Sequence, residues 1–432
     1  MAGRRFRVDD DARRHGRVLV GGSPLKLFRL TDGGARVVER IEQGGAVEDS
    51  SLVRALLDAG AVHPALPDSS DSSFSATDVT IVVPSLGRPA HLPRGAVLVD
   101  DGSDPPITGA DVRLDVNSGP GAARNAGLTR VTTALVAFVD ADVSVPDGWL
   151  DRLVPYFDDD RVALVAPRVA SASGGTKLAA YEAANSPLDL GGRPALVRAG
   201  SRVSYVPAAA IVCRAEVVRA IGGFDEELRF GEDVDLVWRL DEAGWQIRYE
   251  PDAVVEHDTR PNWASWFRQR IGYGSSAAPL SRRHRGALAP IRMSGWSLTA
   301  WVAGLGLHPA VGAVIGAGSS AALVRKLDDL PPAVAFGLAW RGNVHAGEQL
   351  AAAIRRAWWP LLAVAAVRSR LARRALVAAA LARRHPVGLL DDVAYSIGVW
   401  RGIVTERTVA PLVPDIISWP PRSSRSRPAG VR

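Results

Sequence analysis

Two carboxylates stand two residues apart near the end of an apolar run, and their spacing suits the binding of a divalent cation. The run is TTALVAFVDADV, which contains Asp140 and Asp142. On a strand, residues i and i+2 point to the same face, so both side chains would enter the same crevice. Mg²⁺ and Mn²⁺ take hard oxygen ligands and are commonly shared between carboxylates and a substrate phosphate. A strand that simply ends in two solvated aspartates has the same pattern, so the spacing alone leaves both interpretations open.

An adjacent pair of acidic residues later in the chain could provide a general base. The segment GEDVDLVWRL contains Glu232 and Asp233. Neighbouring carboxylates can raise one another's pKa, and such a carboxylate can take a proton from an attacking hydroxyl group. The alternative is that both residues lie in the first turn of a helix, where the helix dipole favours acidic side chains.

Two further segments contain residues that could bind a ligand: a second pair of aspartates and a glycine-rich loop. Asp100 and Asp101 end the run AVLVDD, and the segment NSGPGAARNAGL leads into a predicted helix. Gly119 and Gly121 permit a tight loop, and the N-terminus of the helix that follows can face a phosphate group. Without any ligand, Asp100 and Asp101 would form a solvated turn, and the glycine-rich segment would be a loop that caps the helix.

Short apolar runs and helical segments alternate in the part of the chain that carries these residues. VTIVVP, AVLVDD, ALVAFVDADV and ALVAPRV are typical of strands buried on both faces. The alternation predicts an α/β fold with a mostly parallel sheet and crossover helices over residues 79–280. Active sites in such sheets lie at the carboxyl ends of the strands, which is where both aspartate pairs would fall.

Several of these segments resemble the family-2 glycosyltransferases of the GT-A fold in residue type, order and spacing. They are TIVVPSLGRP with VLVDDGS, NSGPGAARNAGL, FVDADV, GGFDEEL and GEDVDLVWRL, and they cover about residues 78–260. The resemblance implies a Rossmann-like core that transfers a sugar from a nucleotide sugar with inversion at the anomeric carbon. It also implies a Mg²⁺ or Mn²⁺ ion that neutralises the departing diphosphate.

The resemblance further implies a role for each matching residue. Asp233 would be the general base. His257, in VVEHDTR, matches a histidine near the metal or the diphosphate, although a lone histidine is often purely structural. The nucleotide would be bound by Pro84, Asp100, Asp101, Arg124 and Asp140, the metal ion by Asp140, Asp142 and His257, and the acceptor side would include Glu232, Gly223 and Phe224.

The first 66 residues predict a small separate domain. GRVLV and LKLFRL are typical of strands, and DGGARVVERIEQG and SSLVRALLDAG are typical of helices. The pattern is similar to the winged-helix domain that captures leader peptides, by strand addition at a sheet edge, in pathways for ribosomally made, modified peptides. A DNA-binding winged helix or a packing module would share these elements, but no helix here is rich in Lys and Arg. Residues 67–78 are predicted to be a polar linker.

Beyond residue 280 the chain becomes rich in Ala, Leu, Trp and Arg. Residues 281–432 contain 21 Lys and Arg against 7 Asp and Glu, whereas residues 293–324 contain no charged side chain. A membrane span needs about 20 apolar residues, and His308-Pro309 divides the uncharged run. The run therefore fits one kinked span, a re-entrant hairpin or two buried helices.

The rest of this region suits a membrane surface. AWWPLLAVAAV and ALVAAALA are too short to span a bilayer and are bounded by arginine pairs, so they predict interfacial helices. We expect a helical region over residues 281–418, membrane contact through residues 293–400 and disorder over residues 419–432.

Composition narrows the class of protein and the compartment. The single cysteine, Cys213, excludes a disulfide framework and favours the reducing cytoplasm. The net charge of +6 is concentrated in the tail, where arginine pairs alternate with apolar blocks, so we predict contact with the inner face of the plasma membrane rather than with nucleic acid.

The whole arrangement resembles the mycofactocin glycosyltransferases of actinobacteria, in part through the segment RQRIGYGSSAAPLSRRH. That resemblance implies transfer of a hexose, most simply glucose from UDP-glucose, to a small peptide-derived redox cofactor as a β-linked oligosaccharide. A cell-envelope glycosyltransferase with a lipid-linked or glycan acceptor suits the tail equally well. Two other classes are a peptide-binding scaffold without catalysis, which the carboxylates in three segments disfavour, and a nucleotidyltransferase, for which a basic triphosphate-binding signature is missing.

Overall fold

The computed structural model of the protein describes residues 3–65, 72–87, 95–172 and 174–417. The chain forms two compact units, Met1–Trp266 and Phe267–Arg432. The predicted linker lies partly, and the predicted disordered tail wholly, outside the described residues.

The N-terminal part of the first unit has a hydrophobic core of its own, in which Leu19, Val38 and Leu56 are buried. The side chains of Thr31 and Ser50 cap the two helices by accepting hydrogen bonds from backbone N–H groups. The elements are strands β1 (Phe6–Val8), β2 (Arg13–His15), β3 (Val18–Gly21), β4 (Lys26–Arg29) and β5 (Val62–Pro64) and helices α1 (Asp32–Glu42) and α2 (Ser51–Asp58). β1 pairs with β5, and β2, β3 and β4 form an antiparallel sheet in that order.

A nine-stranded sheet forms the centre of the first unit. Its strands are β6 (Val79–Ser85), β7 (Val97–Asp101), β8 (Val112–Leu114), β9 (Leu135–Val139), β10 (Val143–Ser144), β11 (Val162–Ser171), β12 (Ala195–Leu196), β13 (Ala210–Arg214) and β14 (Gln246–His257). The order is β10-β14-β11-β13-β9-β6-β7-β8, with β12 against β14. The ladders β9-β6-β7-β8 and β11-β14 are parallel, and β13 runs antiparallel between them. This mixed α/β, mostly parallel sheet confirms the predicted GT-A type of fold.

Four helices accompany this sheet: α3 (Pro120–Leu128), α4 (Lys177–Asn185), α5 (Ala215–Ala220) and α6 (Glu232–Glu242). Helix α3 packs very closely on β6 and β7. A Cβ atom added at Gly127 would overlap Val82 Cγ1 and lie 3.0 Å from Val99 Cγ2. The absence of a side chain at this position therefore lets α3 approach the sheet that carries the candidate site.

The second unit and the residues just before it are mainly helical. The elements are α7 (Trp263–Ser275), α8 (Ala277–Arg283), β15 (Arg292–Met293), α9 (Gly295–Gly306), α10 (Pro309–Val324), α11 (Pro332–Ala353), α12 (Trp359–Ala366), α13 (Arg370–Leu381), α14 (Pro386–Glu406) and β16 (Asp415–Ile416). Asp392 on α14 is buried and accepts hydrogen bonds from both Arg355 and Arg356. These arginines therefore support packing inside the unit.

The uncharged run over residues 293–324 folds as two separate helices, α9 and α10. The chain leaves the helical conformation at Leu307 and His308, where the sequence predicted a break, and the His308 side chain caps α10. Within the described residues, no helix combines the length and the apolar character needed to cross a bilayer.

Candidate active site

The candidate carboxylates follow β9 and gather near the end of β14. The backbone N–H of Asp140 donates to the Ala209 carbonyl oxygen at 2.9 Å, which fixes the turn after β9. Asp142 Oδ1 lies 3.5 Å from Nε2 of His257, because β10 pairs with the end of β14. Arg260 Nη1 lies 3.6 Å from the other carboxylate oxygen of Asp142. The structure thus brings Asp142 and His257 together.

Arg124 joins the turn after β9 to the start of α6. Its Nη2 donates to Asp140 Oδ1 and its Nη1 donates to Glu232 Oε1, each at 2.7 Å. The Arg124 side chain is only 3% exposed. Burial alone would lower its pKa, but the charges of Asp140 and Glu232 outweigh that effect and raise the pKa. Arg124 therefore stays charged and holds the two carboxylates on either side of it.

The adjacent pair Glu232 and Asp233 has raised pKa values. Burial, together with the charge of Asp233, raises the pKa of Glu232 to about 7, although Arg124 opposes the shift. Burial also raises the pKa of Asp233, and the charge of Asp140 adds to that effect. The pair can therefore exchange a proton near neutral pH.

Asp233 combines a fixed orientation with partial exposure. Its Oδ1 accepts a hydrogen bond from the Val234 N–H at 2.8 Å, and its Oδ2 accepts one from the Ala208 N–H at 3.3 Å. The neighbouring Glu232 is buried, whereas Asp233 is half-buried. Of the two residues, Asp233 is thus the more exposed.

A divalent cation fits this site only if the substrate supplies part of its coordination. Asp142 offers carboxylate oxygens and His257 offers a ring nitrogen, while an Asp140 oxygen already accepts from Arg124. Within the described part of the chain, no group of three or more His, Cys, Asp or Glu side chains is arranged to hold a metal ion. Mg²⁺ commonly completes its sphere with water and substrate phosphates, and the two donors present fit that kind of binding.

The predicted nucleobase carboxylates organise loops at the ends of strands. Asp100 is fully buried and accepts hydrogen bonds from the Ser103 and Ile107 N–H groups and from Arg113. Burial opposes ionisation of Asp100, but hydrogen bonds from the Ser103 side chain and from the Ser103 and Ile107 N–H groups, together with the charge of Arg113, lower its pKa to about 2.

Asp101 is buried as well and accepts from the N–H groups of Ser118 and Gly119, at 2.7 and 2.9 Å. It thereby holds the loop that leads into α3. Pro84 lies beside Val99 near the carboxyl end of β6. Nucleotide binding by these residues stays a prediction.

Of the three residues predicted on the acceptor side, Glu232 begins α6, whereas Gly223 and Phe224 form a turn that docks on α3. Asn125 accepts from the Phe224 N–H and donates to the Phe224 carbonyl oxygen, both at 2.9 Å. Gly223 adopts a φ of +70°, and a Cβ atom there would collide with the Asn125 amide. Phe224 is buried, with the Arg124 guanidinium 5.2 Å from its ring centroid. The ring of Phe224 therefore packs against the Arg124 guanidinium and supports its position.

Sequence reasoning missed two polar residues beside the carboxylates. Arg260 faces Asp142, and Asp258 borders the same cavity of about 730 Å³, which residues 139–151 line. Both follow directly after β14, which ends at His257. Their position just beyond the carboxyl end of a strand was the available signal.

Comparison with known proteins places this geometry in a family. The profile of the family described as "Glycosyltransferase like family 2" matches residues 106–272, which include Arg124, Asp140, Asp142, Asp233 and His257. The pre-mycofactocin glycosyltransferase of Mycobacterium tuberculosis is 40% identical over an alignment of 468 residues, which covers 96% of each chain.

More distant relatives are also glycosyltransferases. Glycosyltransferase AglE of Haloferax volcanii is 28% identical over 163 residues, which cover 37% of this chain and 51% of the relative. A solved mannosyltransferase of Pyrobaculum calidifontis, in complex with GDP-mannose and Mn²⁺, is 15% identical, with a TM-score of 0.42 and coverage of 78% of this chain and 90% of that chain. The full-length match decides the assignment: the chain is an enzyme of the family-2 glycosyltransferases and belongs to the family of the pre-mycofactocin glycosyltransferases.

Proposed function

We propose that the protein is an inverting transferase that moves a hexose, most simply glucose, from UDP-glucose to a small peptide-derived redox cofactor. The observation that carries the mechanism is the environment of the Asp233 carboxylate. It is half-buried, has a raised pKa and has one carboxylate oxygen fixed by the Ala208 N–H. A general base needs this combination of access, orientation and proton affinity.

The proposed reaction is a single displacement. The Asp233 carboxylate takes the proton of the acceptor hydroxyl group as its oxygen forms a bond to the anomeric carbon of the sugar. The bond between that carbon and the diphosphate oxygen breaks, and the electron pair leaves with the nucleoside diphosphate. When bound, a divalent cation beside Asp142 and His257 would supply positive charge at the departing diphosphate.

Arg124 contributes by keeping the site assembled. It holds Glu232, the residue next to the base, and Asp140, a predicted ligand of the metal ion and the nucleotide, at 2.7 Å each. The base and the donor end of the site are therefore connected through one rigid guanidinium group.

The choice of sugar and acceptor rests on the family. The relative in M. tuberculosis matches almost the whole chain and is named for pre-mycofactocin. We therefore infer a precursor of the cofactor as the acceptor, and repeated transfer to build a β-linked oligosaccharide.

The base assignment is tested with Asp233→Asn in the full-length protein, assayed with UDP-glucose and pre-mycofactocin. We expect transfer to fall by roughly 10²- to 10⁴-fold, while UDP binding measured by calorimetry stays unchanged. Glu242→Gln serves as the matched control, since Glu242 is an exposed carboxylate at the other end of α6. Transfer at the wild-type rate by Asp233→Asn would exclude Asp233 as the base.

We also propose that residues 1–66 form a domain that binds the precursor peptide, next to the transferase domain at residues 79–280. In the described part of the chain β4 is an edge strand of its sheet, and it is mostly exposed. Leu25 and Leu27, which are exposed there, could receive apolar side chains of an added strand.

The second unit carries the observation that favours membrane contact at the inner face of the plasma membrane. Helices α9 and α10 have no charged residue, yet Leu307 and Val314 are more than 70% exposed. Helix α10 has 16 residues and so is about 24 Å long, shorter than the roughly 30 Å of a hydrocarbon core. We propose that this hairpin inserts partway into the bilayer, with Arg325 and Lys326 near its base facing anionic headgroups.

The same apolar surface also suits a second candidate function, which is transfer to a lipid-linked acceptor of the cell envelope. A cavity of about 340 Å³ between α9, α10 and α11 is lined almost wholly by apolar side chains, including Trp301 and Trp340. Transfer to a polyprenyl-phosphate acceptor, with none to pre-mycofactocin, would favour this alternative.

A further inference from the structure

One segment of the first unit contacts both the N-terminal domain and the proposed base. We call it the bridging segment and define it as residues 193–209. It contains the short strand β12, pairs there with β14, and leads directly into β13. Its first part faces residues of the N-terminal domain, and its last part faces the turn after β9 and the start of α6.

The contact with the N-terminal domain is a partly buried network of ion pairs centred on Arg202. The Arg202 guanidinium donates to both oxygens of Asp9, at 2.9 and 3.3 Å, and to Asp11 at 3.1 Å. Asp9 is 5% exposed and also lies 2.9 Å from Nε2 of the buried His63. Arg193 donates to the same Asp11 oxygen at 2.7 Å. An ion pair of this kind resists disruption because its loss would remove a charged partner from a buried carboxylate.

The backbone at Arg202 is fixed from the same side. Its N–H group donates to Ser23 Oγ at 2.6 Å, and Arg198 donates to the Asp58 carbonyl oxygen at 3.2 Å. The N-terminal domain therefore holds the main chain of the bridging segment as well as its side chains.

The opposite end of the bridging segment holds the catalytic groups. The Ser204 carbonyl oxygen accepts from the indole N–H of Trp238 on α6 at 2.7 Å. The Ala208 N–H donates to Asp233, and the Ala209 carbonyl oxygen accepts from the Asp140 N–H. Ala208 is only six positions after Arg202, Val203 and Val206 between them are buried, and Ala208 is buried as well. Because this stretch is short and packed, a displacement of the backbone at Arg202 is transmitted to Ala208.

We propose that Arg202 is a positioning residue for catalysis, through which the docked N-terminal domain orients Asp233 by way of the bridging segment. In this view the domain is part of the catalytic unit in addition to any role in peptide capture. The inference rests on the proposed function of Asp233 as the base. Displacement of a catalytic carboxylate by about 1 Å can lower the rate by about 10²-fold, so a change in this contact should measurably change the rate of transfer.

The test is Arg202→Gln in the full-length protein, with two measurements. We expect kcat with UDP-glucose and pre-mycofactocin to fall by about tenfold or more while KM for UDP-glucose changes by less than about twofold, because orientation of the base is altered and donor binding is not. We also expect faster hydrogen–deuterium exchange in peptides that cover residues 203–209. Arg202→Lys keeps a positive charge toward Asp9, so its kcat and its exchange at residues 203–209 should lie between those of the wild type and Arg202→Gln.

Arg14→Gln is the matched control. Arg14 makes an ion pair with Glu42 at 2.9 Å inside the N-terminal domain, away from the bridging segment, so its removal should change neither kcat nor exchange at 203–209. If Arg202→Gln does not fold, Asp11→Asn removes a more exposed partner of the same network and should give a smaller change in the same direction.

Two results would overturn the proposal: wild-type kcat in a folded Arg202→Gln protein, or lowered kcat without any change in exchange at 203–209. The exchange measurement does not depend on the identity of the base. Retained transfer by Asp233→Asn together with faster exchange in Arg202→Gln would thus reject Asp233 as the base and, with it, the catalytic part of this inference. The mechanical link between the two ends of the bridging segment would remain.

Discussion

At the scale of single residues, the site is organised by one arginine that neutralises two separate acidic groups. Arg124 faces Asp140 on one side and Glu232 on the other, and it is almost fully buried. Without it, Asp140, Glu232 and Asp233 would place three carboxylates in one poorly solvated region, where like charges raise each other's pKa. The arrangement leaves Asp233 with a raised pKa in a half-buried position.

The pKa shifts predict how activity depends on pH. The pKa of Asp233 is raised by burial, and a proton on Asp233 removes its ability to act as a base. Transfer should therefore decrease as the pH falls, and the decrease should begin at a higher pH than an ordinary aspartate would give. In Glu232→Gln the neighbouring charge is removed and Arg124 acts more strongly on Asp233, so the pKa of Asp233 should fall and the decrease should begin at a lower pH.

Single-turnover rates between pH 5 and 9 check this prediction, because they exclude product release. A profile of Glu232→Gln that coincides with the wild-type profile on the acid side would show that the two carboxylates do not influence each other.

At the scale of elements, the site depends on how closely α3 lies on the sheet. Arg124 and Asn125 are carried by this helix, and Gly127 faces Val82 of β6 and Val99 of β7. Arg124 can bridge Asp140 and Glu232 only if the helix axis stays at this distance. Packing of α3 and geometry of the site are therefore coupled.

Gly127→Ala should destabilise the protein by about 1–3 kcal/mol, since the added methyl group overlaps a buried valine. Gly33→Ala is the matched control. Gly33 is also helical, in α1, but the nearest atoms to an added Cβ are 3.9 Å away, and alanine favours helix by up to about 1 kcal/mol. Thermal unfolding monitored by circular dichroism should show a lower midpoint for Gly127→Ala only. Equal midpoints for the two variants would contradict the close packing.

At the scale of the whole molecule, the two units present different surfaces. The first carries the candidate site, and the second carries the uncharged α9–α10 hairpin with its exposed apolar side chains. Exposed apolar patches of this kind mark sites of interaction rather than ordinary protein surface.

Membrane contact is tested by co-sedimentation of the full-length protein with vesicles of phosphatidylglycerol and phosphatidylcholine. We expect binding of the wild type and a loss of about tenfold or more for the double variant Leu307→Glu, Val314→Glu, because buried apolar area drives interfacial insertion. Val404→Glu on α14 provides the control, as Val404 is 73% exposed in the same unit. Equal loss in all variants, or no binding by the wild type, would reject the hairpin as the contact site.

Much of this architecture follows from local sequence. Apolar runs of strand length with helical segments between them predicted the parallel strands of the first unit, because a strand buried on both faces needs an unbroken apolar sequence. In the structure Thr31, Ser50 and His308 cap the starts of three helices, as the local preferences for capping residues and for proline in the first turn favour. The order of the motifs also indicated the family, which the full-length relative confirms.

Tertiary structure alone decided which of the predicted residues touch one another. The approach of Arg124 to Asp140 and Glu232, of His257 to Asp142, and of Ala208 to Asp233 joins residues 16 to 115 positions apart, so no local pattern could specify it. The sequence by itself determined the chemical groups and the strands that carry them. Packing of α3 and docking of the N-terminal domain determined the distances between those groups, because distances across a sheet depend on the contacts of every element placed on it.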